Sequence, residues 1–400
     1  MRCIGLVLFL VGVFFCFSNT IQAAEKNEIV IGDVISLTGM AATNGNEASW
    51  FFKEAVKDIN AQGGIFVKQY NKKLPVKLVT ADSESDVGKA VSAAERLIKV
   101  DKVDFLLPGC EGVMNLPVAV AADKFKVYFH ATTILPIQWR PQKFKWSTLY
   151  FFELQPGSDT PFEILTSIPA AERPKKLALL LEDSLDGRNF EGSLKKAAAQ
   201  YKVEIALTVP LRVNSKDYSA EVLKLKSQGI DGAILMCSNA DAITFVRQMK
   251  EAQLNLKYLH GYRGTVSTDF WNAVGKDGNY VLCDGFWSDD WPFPRAKEIG
   301  ERYFKQFGKR STVGYYYALC QTLWQAIEKA GTLDGATVRD VVMTTQFKGT
   351  IMGDVKYGPD GTAIFPAGVL QWWNGERKTV YPFNLSGGWK IKLAPPWDQR

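Results

Sequence analysis

Histidine is nearly missing from this 400-residue chain: His130 and His260 are the only two, and they stand far apart. His-Glu-x-x-His is absent, as are Gly-x-Ser-x-Gly, Gly-x-Gly-x-x-Gly and a P-loop. The motifs of zinc proteases, serine hydrolases and nucleotide-binding enzymes are therefore unsupported. Cysteine is sparse too. Of six, Cys3 and Cys16 lie at the extreme N-terminus, and Cys110, Cys237, Cys283 and Cys320 form no Cys-x-x-Cys pair. Four cysteines allow three full pairings, and buried free thiols remain the alternative. Charge of one sign is also lacking. The formal net charge of +6 is scattered rather than gathered in a stripe, so nucleic acid is not an expected partner. Low-complexity segments are absent, and the one long apolar run is Ile4–Phe17.

That run follows Arg2 and leads into Ser18-Asn19-Thr20-Ile21-Gln22-Ala23-Ala24, the pattern of a secretory signal peptide over residues 1–24. Cleavage after Ala23 or Ala24 is expected. A membrane anchor is the competing reading, but the run falls short of the ~20 residues a span needs. Removing Arg2 leaves the mature chain at +5. Its composition, 46% hydrophobic and 22% charged, is that of an ordinary globular protein. Four hundred residues exceed one core, so two domains are expected.

Along the mature chain, strand-like and helix-like stretches alternate. Ile29–Gly32 opens a strand ending in Ser36-Leu37-Thr38-Gly39, and Glu47–Asn60 has helical spacing. Leu74–Ala81, Val103–Leu107 and Lys126–Phe129 are further strands, with helices over Val87–Val100 and Asn115–Lys124 between them. This βαβ progression predicts a doubly wound parallel sheet. The rhythm restarts at Lys176–Leu181 and runs through strands at Val203–Val209, Gly232–Met236 and Tyr258–His260. Asp186–Gly192 reads as a loop before a helix over Ser193–Tyr201. Arg302–Lys329 is helical and is expected to pack on the first lobe. The tail reads as β, with strands at Gly349–Tyr357, Val369–Trp373 and Lys378–Pro382.

Ile29–Ile65 (IVIGDVISLTGMAATNGNEASWFFKEAVKDINAQGGI) resembles the opening of the leucine/isoleucine/valine-binding proteins. These are extracytoplasmic solute receptors of ABC importers. The likeness continues through Leu74–Leu97, the loop near Cys110 and Ala131-Thr132-Thr133. It resumes at Lys216–Gln228, Phe245–Ala252 and Gly314–Gly331, and so covers the mature chain in order. The resemblance implies the type I periplasmic binding protein fold, an α/β architecture of two doubly wound lobes joined by a three-segment hinge. Carried over, the crossings fall near 150–153, 281–285 and 354–359. Lobe one is then 25–150 plus 286–354, and lobe two 151–285 plus 355–400.

In open α/β sheets ligands bind beyond the carboxyl ends of the strands. In lobe one those ends hold Ser36, the loop Cys110-Glu111-Gly112-Val113 after Gly109, and Ala131-Thr132-Thr133. The resemblance implies that these loops hold a solute carboxylate, through backbone N–H groups and threonine hydroxyls. The match is good at Ala131–Thr133. It departs at Cys110–Val113, where relatives carry serines. Lobe two is expected to close with Asn189, Ser238, Tyr262 and Arg263. Trp50, Phe190, Tyr262 and Trp287 would suit as aromatic walls, but core packing is the favoured reading for each.

Arg263 is a second departure, standing where amino-acid-binding relatives carry a carboxylate for the ammonium group. Two readings are open. In the favoured one, Arg263 grips an organic or aromatic acid. In the other, Arg263 faces solvent or pairs with Asp290, and Glu111 replaces the missing acceptor. No catalysis and no cofactor are expected. Ser193-Leu194-Lys195-Lys196 matches Ser-x-x-Lys only by a short pattern inside a helix. The expected partners are a small-molecule ligand and a membrane permease, and a periplasmic monomer is expected. A sensory receptor subunit is an alternative, as is an acid–base enzyme using His130 and Glu111.

Overall fold

The computed structural model describes residues 26–400, so the expected signal peptide lies outside the described residues. Two sheets carry the chain. The first has six strands in the order Thr362–Ile364, Ser147–Phe151, Tyr128–Ala131, Phe105–Leu107, Ile29–Ile35 and Val76–Asp82. Every neighbouring pair in it is parallel. The second has seven, in the order Glu376–Tyr381, Val369–Trp373, Leu282–Asp284, Tyr258–His260, Gly232–Met236, Leu177–Glu182 and Ile205–Leu211. Its last five are parallel, and the hairpin 369–381 adds two antiparallel strands at one edge.

The parallel strands are apolar on both faces because helices cover both sides. In the second sheet the alternation is plain. Leu180 and Leu235 enter one core, while Leu179, Leu181 and Ile234 enter the other. Lobe one packs around Phe51, Phe52, Phe105, Tyr128 and Phe129, and the helix Tyr315–Ala330 returns to it as expected. The helical stretch expected over 302–329 is two helices, Ala296–Phe307 and Tyr315–Ala330, broken after Gly308, which takes a φ of +67°. Among the described residues all four cysteines are free thiols, and no helix is long and apolar enough to cross a membrane.

The single strand expected over 349–357 is a hairpin of Gln346–Thr350 and Gly353–Lys356. Two further expectations need correction. Residues 186–192 are not a loop: the helix Leu185–Gln200 begins there, with the Ser184 hydroxyl accepting from the Gly187 amide at 3.0 Å. An N-cap of this kind, worth about 1 kcal/mol, offsets part of the cost of Gly187 and Gly192, and burial of Phe190, Leu194 and Ala197 supplies the rest. Secondly, Thr362–Ile364 pairs with Ser147–Phe151 in the first sheet. The third crossing therefore lies at 365–368, about ten residues beyond the expected one, and residues 355–364 belong to lobe one.

Candidate functional site

The carboxyl ends of the first sheet gather three loops in lobe one. Ser36 lies at the end of Ile29–Ile35, its Oγ 2.8 Å from Ser83 Oγ and donating to Glu111 Oε2 at 3.0 Å. Asp82 accepts from the Leu37 amide at 2.9 Å, the Thr38 hydroxyl at 2.7 Å and the Glu84 amide at 2.8 Å. Glu111 stands just before the helix Gly112–Phe125, whose first amides have no intrahelical acceptor. Its Oε1 is buried without a partner. Burial and the neighbouring Glu111 push the Cys110 thiol up, so it stays protonated and unreactive. Val113 is exposed at the first turn.

One residue that sequence reasoning missed ties these loops together. Asn115 is fully buried; its Oδ1 accepts from the Gly109 amide at 2.8 Å. Its Nδ2 donates to Gly109 O and Thr132 O at 3.1 Å and to Thr133 Oγ1 at 2.6 Å. A buried amide at the start of a helix whose other buried residues are apolar is the one signal that marks it. Thr133 then turns with φ +62°, the left-handed region, and presents the backbone at the loop tip. Thr132 is not available to a solute through its hydroxyl, which is buried and donates to Tyr150 O at 2.5 Å. Ala131 is likewise buried.

Lobe two presents a charge cluster. Arg263 Nη2 donates to Glu182 Oε1 at 2.6 Å, and Nη1 to Asp186 Oδ2 at 3.2 Å. The Glu182 side chain is 6% exposed and that of Arg263 46%. Burial works against the guanidinium charge, but Glu182 and then Asp186 hold its pKa above the ordinary arginine value. Arg263 thus neither stands free nor reaches Asp290. Ser238 caps the helix Asn239–Glu251, its hydroxyl accepting from the Asp241 amide at 3.2 Å and donating to Asp241 Oδ2 at 2.8 Å. Asn189 is half-buried on the helix Leu185–Gln200 and makes no side-chain hydrogen bond among the described residues.

The aromatic walls prove to be core. Trp287 is fully buried and donates to Ile351 O at 3.0 Å, and Trp50 packs edge-on against Tyr303. Tyr262 is buried, its hydroxyl donating to Gly157 O at 3.1 Å and its ring packing against Phe190. His130 does not approach the cleft either. Its Nδ1 lies 2.6 Å from Tyr128 Oη and its Nε2 2.8 Å from Thr322 Oγ1, and burial lowers its pKa to about 3. The acid–base pair of His130 and Glu111 is not assembled. Among the described residues no cluster of His, Cys, Asp or Glu is arranged to hold a metal ion.

Across the gap, no hydrogen bond or ion pair joins the lobe-one loops at 36–39, 109–113 and 131–133 to the lobe-two loops at 182–189, 238–239 and 262–263 among the described residues. The lobes meet elsewhere, where Trp291 Nε1 donates to Thr379 Oγ1 at 3.2 Å. Each lobe thus carries a set of loops at the carboxyl ends of its parallel strands, where open α/β sheets bind ligands.

The family model described as "Periplasmic binding protein" matches residues 28–377. The chain belongs to that family. One relative is Leu/Ile/Val-binding protein homolog 1 of Brucella abortus (strain 2308), 24% identical over 356 residues, covering 86% of this chain and 90% of the relative. Two solved structures share the fold at 18% identity. One is the branched-chain amino acid transporter substrate binding protein LivJ of Streptococcus pneumoniae in complex with isoleucine, with a TM-score of 0.74, covering 89% of this chain and all of that one. The other is a solute binding protein of an ABC transporter from Rhodopseudomonas palustris BisB5 in complex with 3,4-dihydroxy benzoic acid, with a TM-score of 0.72, covering 94% and 100%. As a member of this family the chain is a periplasmic-binding-type receptor with two α/β lobes.

Proposed function

We propose that this protein is the periplasmic solute receptor of an ABC importer, exported through a cleaved signal peptide. It captures one small carboxylate-bearing solute between its lobes and presents the closed form to a membrane permease. What supports this reading is the membership of the family together with two strand-end loop clusters, one in each lobe: open amides at the start of the helix Gly112–Phe125 in lobe one, and the Glu182–Asp186–Arg263 cluster in lobe two. Helix-start amides favour a carboxylate. The related receptors' ligands, isoleucine and 3,4-dihydroxy benzoic acid, both carry one.

The rest of the solute is read from charge. Arg263 is already balanced by Glu182 and Asp186, and Glu111 Oε1 has no partner. A site with a spare acceptor and a balanced arginine suits a zwitterion, an amino acid, better than a dicarboxylate. The organic-acid reading keeps one observation in its favour: Arg263 is nearly half exposed and has further N–H groups to offer.

A thermal-shift panel separates the two. L-Leucine, L-isoleucine and L-valine stand on one side, and 3,4-dihydroxybenzoate and succinate on the other. A bound solute at one hundred times its Kd stabilises by about 2.7 kcal/mol. Stabilisation by an amino acid that is lost in Glu111→Gln supports the zwitterion. Stabilisation by an organic acid that is lost in Arg263→Ala supports the other. A flat response to every carboxylate, with a response to neutral sugars, contradicts both.

A further inference from the structure

The hinge contains a small cavity that the receptor function leaves unexplained. It measures about 10 Å³ and is lined by Phe152 from the first crossing, Asp284 and Phe286 from the second and Gly368 from the third, with His260 and Tyr262 beside them. That is room for about one water molecule. The crossings are held close together. Gly285 N donates to Gly368 O at 2.8 Å, and the Phe152 and Phe286 rings stack at 5.0 Å. A Cβ on Gly368 would stand 2.0 Å from Gly285 O, so nothing larger fits.

Two titratable groups reach this cavity without partners. His260 is fully buried and neither ring nitrogen makes a hydrogen bond. Asp284 is half-buried and makes no hydrogen bond or ion pair among the described residues. The groups around them are committed elsewhere. Tyr258 donates to Pro161 O, Tyr262 to Gly157 O, and Arg263 to Glu182 and Asp186. On the helix Leu154–Ser167, Asp159 accepts from Gln155. Burial raises the Asp284 pKa to about 7, with Arg263 opposing it only in part, and lowers that of His260 to about 3.

We propose that Asp284 and His260 make the hinge a proton-sensitive latch, in which a neutral Asp284 carboxyl allows the crossings to pack in the closed form and an ionised one keeps them open. In a closed form whose crossings pack tightly enough to expel the water, a carboxylate that has no donor is disfavoured. A neutral carboxyl can instead donate to an unpaired nitrogen of His260, directly or through the single water. Protons and closure therefore favour each other.

The test needs no solute, so it is independent of which solute the receptor takes. Fluorophores are placed through unnatural amino acids at the exposed Lys57 and Lys196, one on each lobe and away from the strand-end loops, leaving the cysteines untouched, and single-molecule energy transfer is read from pH 5.5 to 8.5. The closed-to-open ratio is expected to rise as pH falls, about tenfold for each unit by which closure raises the Asp284 pKa. Asp284→Asn should hold that ratio at its acidic value throughout. Asp33→Asn removes another carboxyl raised to about 7, buried in lobe one, and should leave the response intact. A flat wild-type ratio, a response that survives Asp284→Asn, or one that vanishes with Asp33→Asn overturns the latch. Should Asp284→Asn fail to fold, carbon-13 titration of the wild-type Asp284 carboxyl decides: a midpoint in the ordinary carboxylate range overturns it equally.

Discussion

Removing the Arg263 side chain exposes how the lobe-two face is held. Arg263→Ala leaves Glu182, whose side chain is 6% exposed, without its ion-pair partner, and Asp186 loses a donor at 3.2 Å. Breaking a fully buried pair costs about 3–5 kcal/mol, whereas exposed pairs contribute about 0–1 kcal/mol. Arg263 is nearly half exposed, so solvent screening brings the expected loss down to about 1–2 kcal/mol. For a lobe of this size that is a fall in Tm of roughly 4 °C. Urea unfolding followed by tryptophan fluorescence measures the same loss at constant temperature. The double variant with Glu182→Gln closes a cycle in which the second substitution should cost about 1 kcal/mol less than it does alone. An unchanged midpoint in Arg263→Ala, or strict additivity in the cycle, refutes the pairing and returns Arg263 to the solute as a free cation.

Three further outcomes follow from the same geometry. In each lobe a helix start lies against the preceding strand end: a Cβ on Gly45 would sit 1.8 Å from Ser36 O, and one on Gly187 1.8 Å from Glu182 O. Gly45→Ala and Gly187→Ala should each destabilise by roughly 1–3 kcal/mol and weaken solute binding, read by thermal unfolding and titration. Asn115→Ala strands the buried Gly109 amide and frees Thr133, at a cost of about 2–3 kcal/mol, with faster amide exchange confined to 109–113 and 131–134. Asp33 is fully buried, and burial outweighs the opposing pull of Thr80 and Lys53 to raise its pKa to about 7. Its contribution to stability is complete below the unfolded carboxyl range near ~3.9 and is lost as pH rises to about 7. Asp33→Asn should therefore flatten that fall and be the more stable protein at pH 8, as urea midpoints at pH 5 and 8 would show.

The chain's α/β rhythm was legible because parallel strands buried on both faces are short apolar runs, as at Gly232–Met236 and Tyr258–His260, which fall where they were expected. What escaped was decided by distant partners. Thr362–Ile364 is three residues long, and only its pairing with Ser147–Phe151 assigns it to lobe one. Arg263 looked free because its partners lie 77 and 81 positions away on another strand end and helix. For Trp287 and Trp50 core packing was the favoured reading, but an aromatic side chain reads alike in a cleft and in a core. Only the close approach of Gly314 and the bond to Ile351 O put Trp287 inside. The helix start at Leu185 was hidden by two glycines, and the Ser184 cap that marks it is a single-residue signal.

The central claim is that a small solute sits unchanged between the lobes, and native mass spectrometry of the exported protein, purified without refolding, tests it most directly. The account predicts an added mass of one small molecule per chain, released intact on unfolding and carrying a carboxylate. A chain that binds no carboxylate even when soaked with the amino-acid and organic-acid panel, or that releases a chemically altered one, would contradict it.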